Sequence, residues 1–124
     1  MRKHPPAVDA LKKASKGLLM PSESYAPFEA FAWEAAGELT PDRLLQLAHV
    51  PKGTAVEAAS LDDLFRTVPA EGRAKFQRLP RAVEEQLAGV RAYKVGDEAE
   101  RAVYIVGRPQ DGHWAGLKTS IVET

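Results

Sequence analysis

The stretch RAVYIVG, residues 101–107, constrains the fold more than any other part of this chain. Alternate residues of an extended strand face opposite sides of a sheet, and both alternating sets are apolar here. One set is Ala102, Tyr104 and Val106, and the other is Val103 and Ile105. A strand that is apolar on both faces needs cover on both sides of its sheet. The chain therefore predicts an α+β fold with helices on each side of the sheet, a three-layer α/β/α sandwich.

Two neighbouring runs, VRAYKVG and HWAGLKTSIVE, are also rich in β-branched and aromatic residues, which favours strands. The segments between the runs are short, and Asp111-Gly112 is a typical hairpin turn. We therefore expect a mixed, mostly antiparallel sheet. FEAFAWEAA and GTAVEAAS predict two further strands. The prolines of LLMPSESYAP predict a loop that continues neither a helix nor a sheet.

Four segments predict helices. PPAVDALKKASKG carries its apolar residues on one stripe and should end at Gly17. Thr40 is a suitable N-cap for LTPDRLLQLAHV, and Ser60 for the shorter SLDDLF. EGRAKFQRLPRAVEEQLAG has apolar residues at steps of three and four, and Gly89 should end that helix. Pro80 lies inside the pattern, so it should kink or interrupt the helix.

The composition excludes several classes of function. The 124 residues suit a single domain, residues 1–124. Lys and Arg together number 17, as do Asp and Glu, so no basic field draws in nucleic acid. No cysteine is present, which excludes thiol nucleophiles and zinc–thiolate sites. The start MRKHPPAVDALKKASKG lacks the apolar region of a secretory signal, and no run could span a bilayer. We expect a cytoplasmic monomer that binds neither membrane nor nucleic acid directly.

The polar residues form no recognisable catalytic or metal-binding motif. The three histidines occur in no HxxxH or HExxH spacing, and no glycine-rich loop resembles a phosphate-binding loop. Asp62 and Asp63 are adjacent on a helix and so point apart. We therefore expect no enzyme activity and no cofactor or metal ion of the protein's own. An enzyme or ligand-binding domain built from dispersed residues is a third-ranked alternative.

Two features at opposite ends of the chain carry oxygen atoms of functional interest. Glu23 lies between Ser22 and Ser24 in the proline-bounded segment PSES. The chain closes on Glu123 and Thr124 directly after a strand-like run, which places a hydroxyl beside a carboxylate. Such oxygen ligands are of the kind that Mg²⁺ accepts. Taken alone, the PSES segment is better explained as a capped loop, and the terminal Thr124 as a frayed strand end.

The string LKKASKGLLMPSESYAPFEAFAWE resembles the opening of the nuclease A inhibitor family. That family has a helix ending in Gly, then two leucines, an SES triplet and a strand of the type PFxxFxWE. The likeness continues in AKFQRL and AYKVGDEAERAVYIVG, and it ends with WAGLKTSIVET. It extends from about Leu11 to Thr124 and thins between Leu39 and Ala74. Matches at both ends, in order and at similar spacing, make the resemblance specific.

The resemblance implies an inhibitor of a sugar-nonspecific ββα-metal nuclease, an enzyme that cuts DNA and RNA with a Mg²⁺ ion. It also implies a fold like that of pathogenesis-related-1 proteins. In the family, the glutamate of the SES triplet and the C-terminal threonine reach the metal ion of the nuclease. Glu23 and Thr124 match these two residues, and they would bridge to the partner's Mg²⁺. We expect Ser22, Ser24 and Glu123 to lie at the same partner-binding surface, and Asp97 or Glu98 to add negative charge that complements a basic nuclease groove.

Two departures from the family pattern bear on the choice of partner. The segment RTVPAEG, residues 66–72, is shorter than its family counterpart, which is acidic and aromatic and contributes to the interface. Tyr25 and Ala26 follow the SES triplet where family members carry an acid and then an aromatic residue. Interfaces depend on a few such anchors. A scaffold that no longer inhibits and serves as a protein-binding adaptor is therefore the second-ranked alternative.

Overall fold

A computed structural model describes residues 6–21, 25–33, 38–65, 73–96, 99–109 and 114–122. These residues form an α+β fold with helices and strands interspersed along the chain. The helices are α1 (Pro6–Ser15), α2 (Pro41–Leu47), α3 (Leu61–Phe65) and α4 (Arg73–Gln86). The strands are β1 (Leu19–Pro21), β2 (Tyr25–Pro27), β3 (Glu29–Trp33), β4 (Val56–Ala59), β5 (Ala88–Val95), β6 (Glu100–Arg108) and β7 (Trp114–Val122).

Five strands form the main sheet in the order β3-β7-β6-β5-β4, and each of these pairings is antiparallel. The apolar strand β6 lies in the middle, as its two-sided pattern predicts. Val122 at the end of β7 pairs with Glu100 at the start of β6. Val95 at the end of β5 pairs with Val56 at the start of β4. We call this end of the sheet, where β7 and β5 finish and β6 and β4 begin, the Val122 end.

Apolar side chains of the sheet belong to two buried clusters, and alternate residues of β6 divide between them. Val103 and Ile105 join the cluster that contains residues of α1, α3 and α4. Tyr104 and Val106 join the cluster that contains Leu44 and Leu45 of α2. The sheet is therefore buried on both faces, which confirms the expectation drawn from the alternating pattern of residues 101–107.

Local signals at the helix ends are also confirmed. The Thr40 hydroxyl accepts a hydrogen bond from the Arg43 amide at 3.2 Å, and the Ser60 hydroxyl accepts one from the Asp63 amide at 3.0 Å. Each satisfies a donor that the first turn of a helix leaves unpaired. Gly17 follows α1 with a φ of 78°, as a left-handed helix stop requires.

Three expectations need correction. Residues 19–27 are not wholly loop, because β1 and β2 form an antiparallel pair, in which Pro21 and Tyr25 are the partners nearest the turn. The prolines are compatible with this hairpin because they end its two strands, where a missing N–H costs little. Pro80 does not interrupt α4, which continues to Gln86. The helix ends at Gln86, before Gly89. Gly89 has a φ of 61° and belongs to β5, at the point where the pairing of β5 with β6 shifts register.

Candidate functional site

The residues predicted to face a partner nuclease lie outside the described part of the chain. They are Ser22, Glu23, Ser24, Asp97, Glu98, Glu123 and Thr124, and the shortened segment 66–72 lies outside it as well. The strands that border them are described. Pro21 and Tyr25 form the last pair of the hairpin around residues 22–24, and Val122 ends the strand that leads to Thr124.

The hairpin and the end of β7 are neighbours. Glu29 at the start of β3 pairs with Lys118 of β7, and the two strands are antiparallel. The chain that precedes Glu29 therefore lies beside the part of β7 that follows Lys118. Both β1 and β2 contact β7. The fold thus brings the strands that lead to residues 22–24 and to residue 124 together, although these segments are far apart in sequence.

A buried threonine of β7 links this strand to β2, the second strand of the hairpin. Thr119 of β7 is only 5% exposed, and its hydroxyl donates a hydrogen bond to the Pro27 carbonyl at 3.0 Å. The Ala26 carbonyl lies within 3.4 Å of the same oxygen. On the other strand of the hairpin, Met20 is buried in the cluster that contains α1 and α4. The hairpin is therefore held by an apolar contact and by a polar one.

The described charges at the Val122 end of the sheet include exposed acidic side chains. Glu100 is exposed and lies directly opposite Val122. Glu57 of β4 forms an ion pair with Arg101 of β6 at 2.9 Å. The Glu57 side chain is 65% exposed, so this pair contributes little to stability. Glu100 thus adds a negative charge beside the strand that leads to Thr124.

A cavity of about 610 Å³ opens at the opposite end of the sheet, between the start of α2 and the end of β6. Its apolar lining comes from Leu39, Tyr93, Val106 and Trp114, and its charged lining from Glu38, Arg91 and Arg108. The Arg108 guanidinium lies 4.6 Å from the centre of the Trp114 ring, a cation–π contact. Within the described ranges, no three His, Asp or Glu side chains are grouped so that they could hold a metal ion.

Sequence reasoning did not single out Thr119 as a residue of interest. Its partner Pro27 is 92 positions earlier in the chain, so no local pattern could reveal the bond. One signal was available: Thr119 occupies an inward position between the buried residues Leu117 and Ile121 of β7. A hydroxyl at such a position needs a partner, because burying it without one is costly.

Fold and site together define a small α+β domain that presents a hairpin beside its C-terminal strand. The sequence matches the family described as nuclease A inhibitor-like protein over residues 5–124, and the chain belongs to this family. The resemblance carried by residues 11–124 is thereby confirmed. No curated protein matches the chain significantly. None of the helices in the described ranges is both long enough and apolar enough to cross a bilayer.

Proposed function

We propose that this protein inhibits a Mg²⁺-dependent, sugar-nonspecific nuclease of the ββα-metal class by blocking its active site. Membership of the nuclease A inhibitor-like family supports a nuclease as the partner and inhibition rather than catalysis as the activity. In this proposal the Glu23 carboxylate and the last residue, Thr124, are presented to the metal ion of the nuclease. Ser22, Ser24 and Glu123 contact the enzyme around it.

The observation that carries the proposal is the hydrogen bond between Thr119 and Pro27. It joins the strand that leads to Thr124 to the hairpin whose strands border Glu23. Two groups that act on one ion must reach it together. A rigid connection between their supporting strands reduces the entropy that is lost when both are ordered on binding.

The electrostatics of such a partner agree with this arrangement. A nuclease active site binds phosphate, so it combines positive charge with a metal ion that has open coordination positions. Carboxylate and hydroxyl oxygens can take the place of phosphate oxygens there. Glu100, exposed beside Val122, extends the negative charge and would speed the encounter.

We further propose the three-layer α/β/α architecture of pathogenesis-related-1-like proteins for this chain. Residues of α1, α3 and α4 in one buried cluster and of α2 in the other support it. We also propose that the protein is a monomer when it is not bound to the nuclease, and that it protects nucleic acid from the nuclease in the cytoplasm.

A plasmid-degradation assay tests the function directly. A ββα-metal nuclease with Mg²⁺ is titrated with the untagged protein, and in parallel with a variant that lacks Thr124. We expect the full chain to inhibit and the deletion to lose inhibition. Inhibition by both proteins would support the function and contradict the role of Thr124. Inhibition by neither, across several nucleases of this class, would contradict the function and favour the adaptor alternative.

The adaptor alternative is favoured by one specific feature, the shortened segment 66–72. A scaffold that lost an interface anchor there would bind a different protein through other surfaces. The two functions differ in their dependence on the last residue. A peptide tag added after Thr124 should abolish metal-directed inhibition, whereas an adaptor has no such requirement.

A further inference from the structure

The main-chain pairing between β3 and β7 begins at Glu29 and Lys118. Two residues before Glu29 stands Pro27, which has no N–H and cannot donate a hydrogen bond to β7. Its carbonyl oxygen can still accept a hydrogen bond. The Thr119 hydroxyl supplies one at 3.0 Å, just beyond the point where the described ladder between the two strands begins. The Thr119 side chain thus supplies a hydrogen bond to β2 at a position where Pro27 has no backbone N–H to donate.

The same bond satisfies Thr119 itself. Its side chain lies on the face of β7 that carries Leu117 and Ile121, and the residue is 5% exposed. A hydroxyl in this apolar setting would be costly without an acceptor. Replacing Thr119 by valine keeps the shape of the side chain and removes only the donor, so the substitution isolates the contribution of the bond.

We propose that Thr119 is a positioning residue for inhibition, fixing the β1–β2 hairpin against β7. This inference rests on the proposed function. Thr119 lies three residues before Val122, and Pro27 lies two residues after Tyr25. At about 3.3 Å per residue of extended chain, the bond is within about 10 Å of both strand ends. It is therefore placed to set the distance between the hairpin and the end of β7.

A fixed hairpin should affect how Glu23 and Thr124 bind the partner together. If the hairpin is fixed, one bound group brings the other to the partner at a high effective concentration. If the hairpin is free to shift, the second contact must be ordered separately, and its benefit shrinks. Loss of the Thr119 hydroxyl should therefore weaken the energetic coupling between Glu23 and Thr124, as well as the inhibition itself.

The test compares Thr119→Val with Thr119→Ser, which retains the hydroxyl. Thr54→Val is a matched control, because the Thr54 hydroxyl also donates to a proline carbonyl, that of Pro51 at 2.7 Å. Thr54 precedes β4, at the other edge of the sheet from β3. We expect Thr119→Val to raise the inhibition constant about tenfold, while Thr119→Ser and Thr54→Val stay within about twofold of the parent.

A second readout separates positioning from a general loss of structure. Glu23→Gln is measured in the parent and in the Thr119→Val background. Positioning predicts that Glu23→Gln weakens inhibition less in the Thr119→Val background, so the two losses do not multiply. Losses that multiply fully, or a Thr119→Val variant that inhibits like the parent, would overturn the proposal.

A third measurement uses the free protein and needs no nuclease. Amide hydrogen exchange at Met20 and Ala26, which pair in the hairpin, should be faster in Thr119→Val and unchanged in Thr54→Val. Unchanged exchange in both would show that the bond does not hold the hairpin. If the parent protein inhibits no nuclease, the proposed function fails, and with it any role of Thr119 in inhibition. Hydrogen exchange then decides whether Thr119 holds the hairpin.

Discussion

The carbonyl oxygen of Ile105 occupies the space that a side chain on Gly116 would need. Gly116 lies on β7 opposite Val106, and the Ile105 carbonyl and the Val106 Cα both come too close to admit a β-carbon. β7 therefore approaches the central strand β6 at a distance that only glycine permits. The glycine of WAGLKTSIVET, part of the family resemblance, has a steric reason in this contact.

Gly116→Ala should therefore destabilise the protein by about 3 kcal/mol or more, because backbone atoms rather than a flexible side chain obstruct the new methyl group. The measurement is the free energy of unfolding in urea. Ser120→Ala is a suitable control, since Ser120 is half-buried on the same strand, and it should change stability by less than about 1 kcal/mol. An unfolding midpoint for Gly116→Ala equal to that of the parent would show that β7 does not pack as closely as described.

His49→Gly should stabilise the protein by about 0.5–1 kcal/mol. His49 follows α2 with a φ of 59°, in the left-handed region that glycine adopts without strain. Its amide donates to the Gln46 carbonyl at 3.2 Å, and the Val50 amide donates to the Leu45 carbonyl at 2.9 Å. These two bonds close the helix whatever side chain occupies position 49. Urea denaturation of His49→Gly and His49→Ala is the check, and a similar gain with alanine would refute the explanation by backbone strain.

Sequence patterns predicted the parts of the fold that depend on neighbours within a few residues. Thr40 and Ser60 cap helices because a side-chain oxygen and an amide three residues later are brought together by the helix itself. The two-sided apolar pattern of residues 101–107 likewise depends only on strand geometry. These are local consequences of covalent structure, and they hold in almost any tertiary context.

The parts that sequence patterns missed depend on partners that are distant in the chain. Pro80 loses a helical hydrogen bond, yet its helix continues, because Phe76 and Leu79 before it and Val83 after it are all buried in one cluster. Packing on both sides of the proline offsets the local preference against it. The hairpin of residues 19–27 forms for a similar reason: Met20 is buried against the main sheet's core.

The candidate site likewise combines features that the sequence could predict with features that depend on distant partners. A resemblance to a family could name Glu23 and Thr124, because the family motif is a string of letters at the two ends of the chain. That the strands bordering them are neighbours follows from the pairing of β3 with β7 and from the Thr119 bond. Neither relation has a signature in the local sequence, so only the three-dimensional arrangement supplies a reason why the two residues would act together.

Glu100→Gln should slow association with the nuclease by about two- to threefold at low salt and leave dissociation unchanged. Glu100 is exposed beside Val122, so its charge contributes to the field at that end of the sheet. Glu84→Gln is the control, because Glu84 is an exposed acid on α4. Rates are measured by stopped-flow mixing at two salt concentrations. A deficit that persists at about 1 M salt, where screening acts within about 3 Å, would contradict a steering role.

Glu23→Gln and Thr124→Val should each weaken inhibition by about 1–3 kcal/mol, which is the range for losing a charge-assisted contact. The first substitution removes a charge and keeps the length of the side chain, and the second removes a hydroxyl and keeps its shape. Inhibition constants against a ββα-metal nuclease with Mg²⁺ give the effect, with Glu84→Gln again as the control for a lost surface charge. The free energy of unfolding, measured in parallel, should stay within about 0.5 kcal/mol of the parent.

The comparison between the two readouts decides the role of these residues. Lost inhibition beside unchanged stability would support direct contact with the partner. Equal losses of inhibition and stability would mean that Glu23 and Thr124 hold the fold together, since a residue that only contacts the nuclease contributes nothing to the free protein. Full inhibition by both variants would contradict the metal-directed mechanism and leave the family scaffold to act through another surface. The Thr124→Val result is the sharper of the two, because the terminal carboxylate stays in place and only one oxygen is removed.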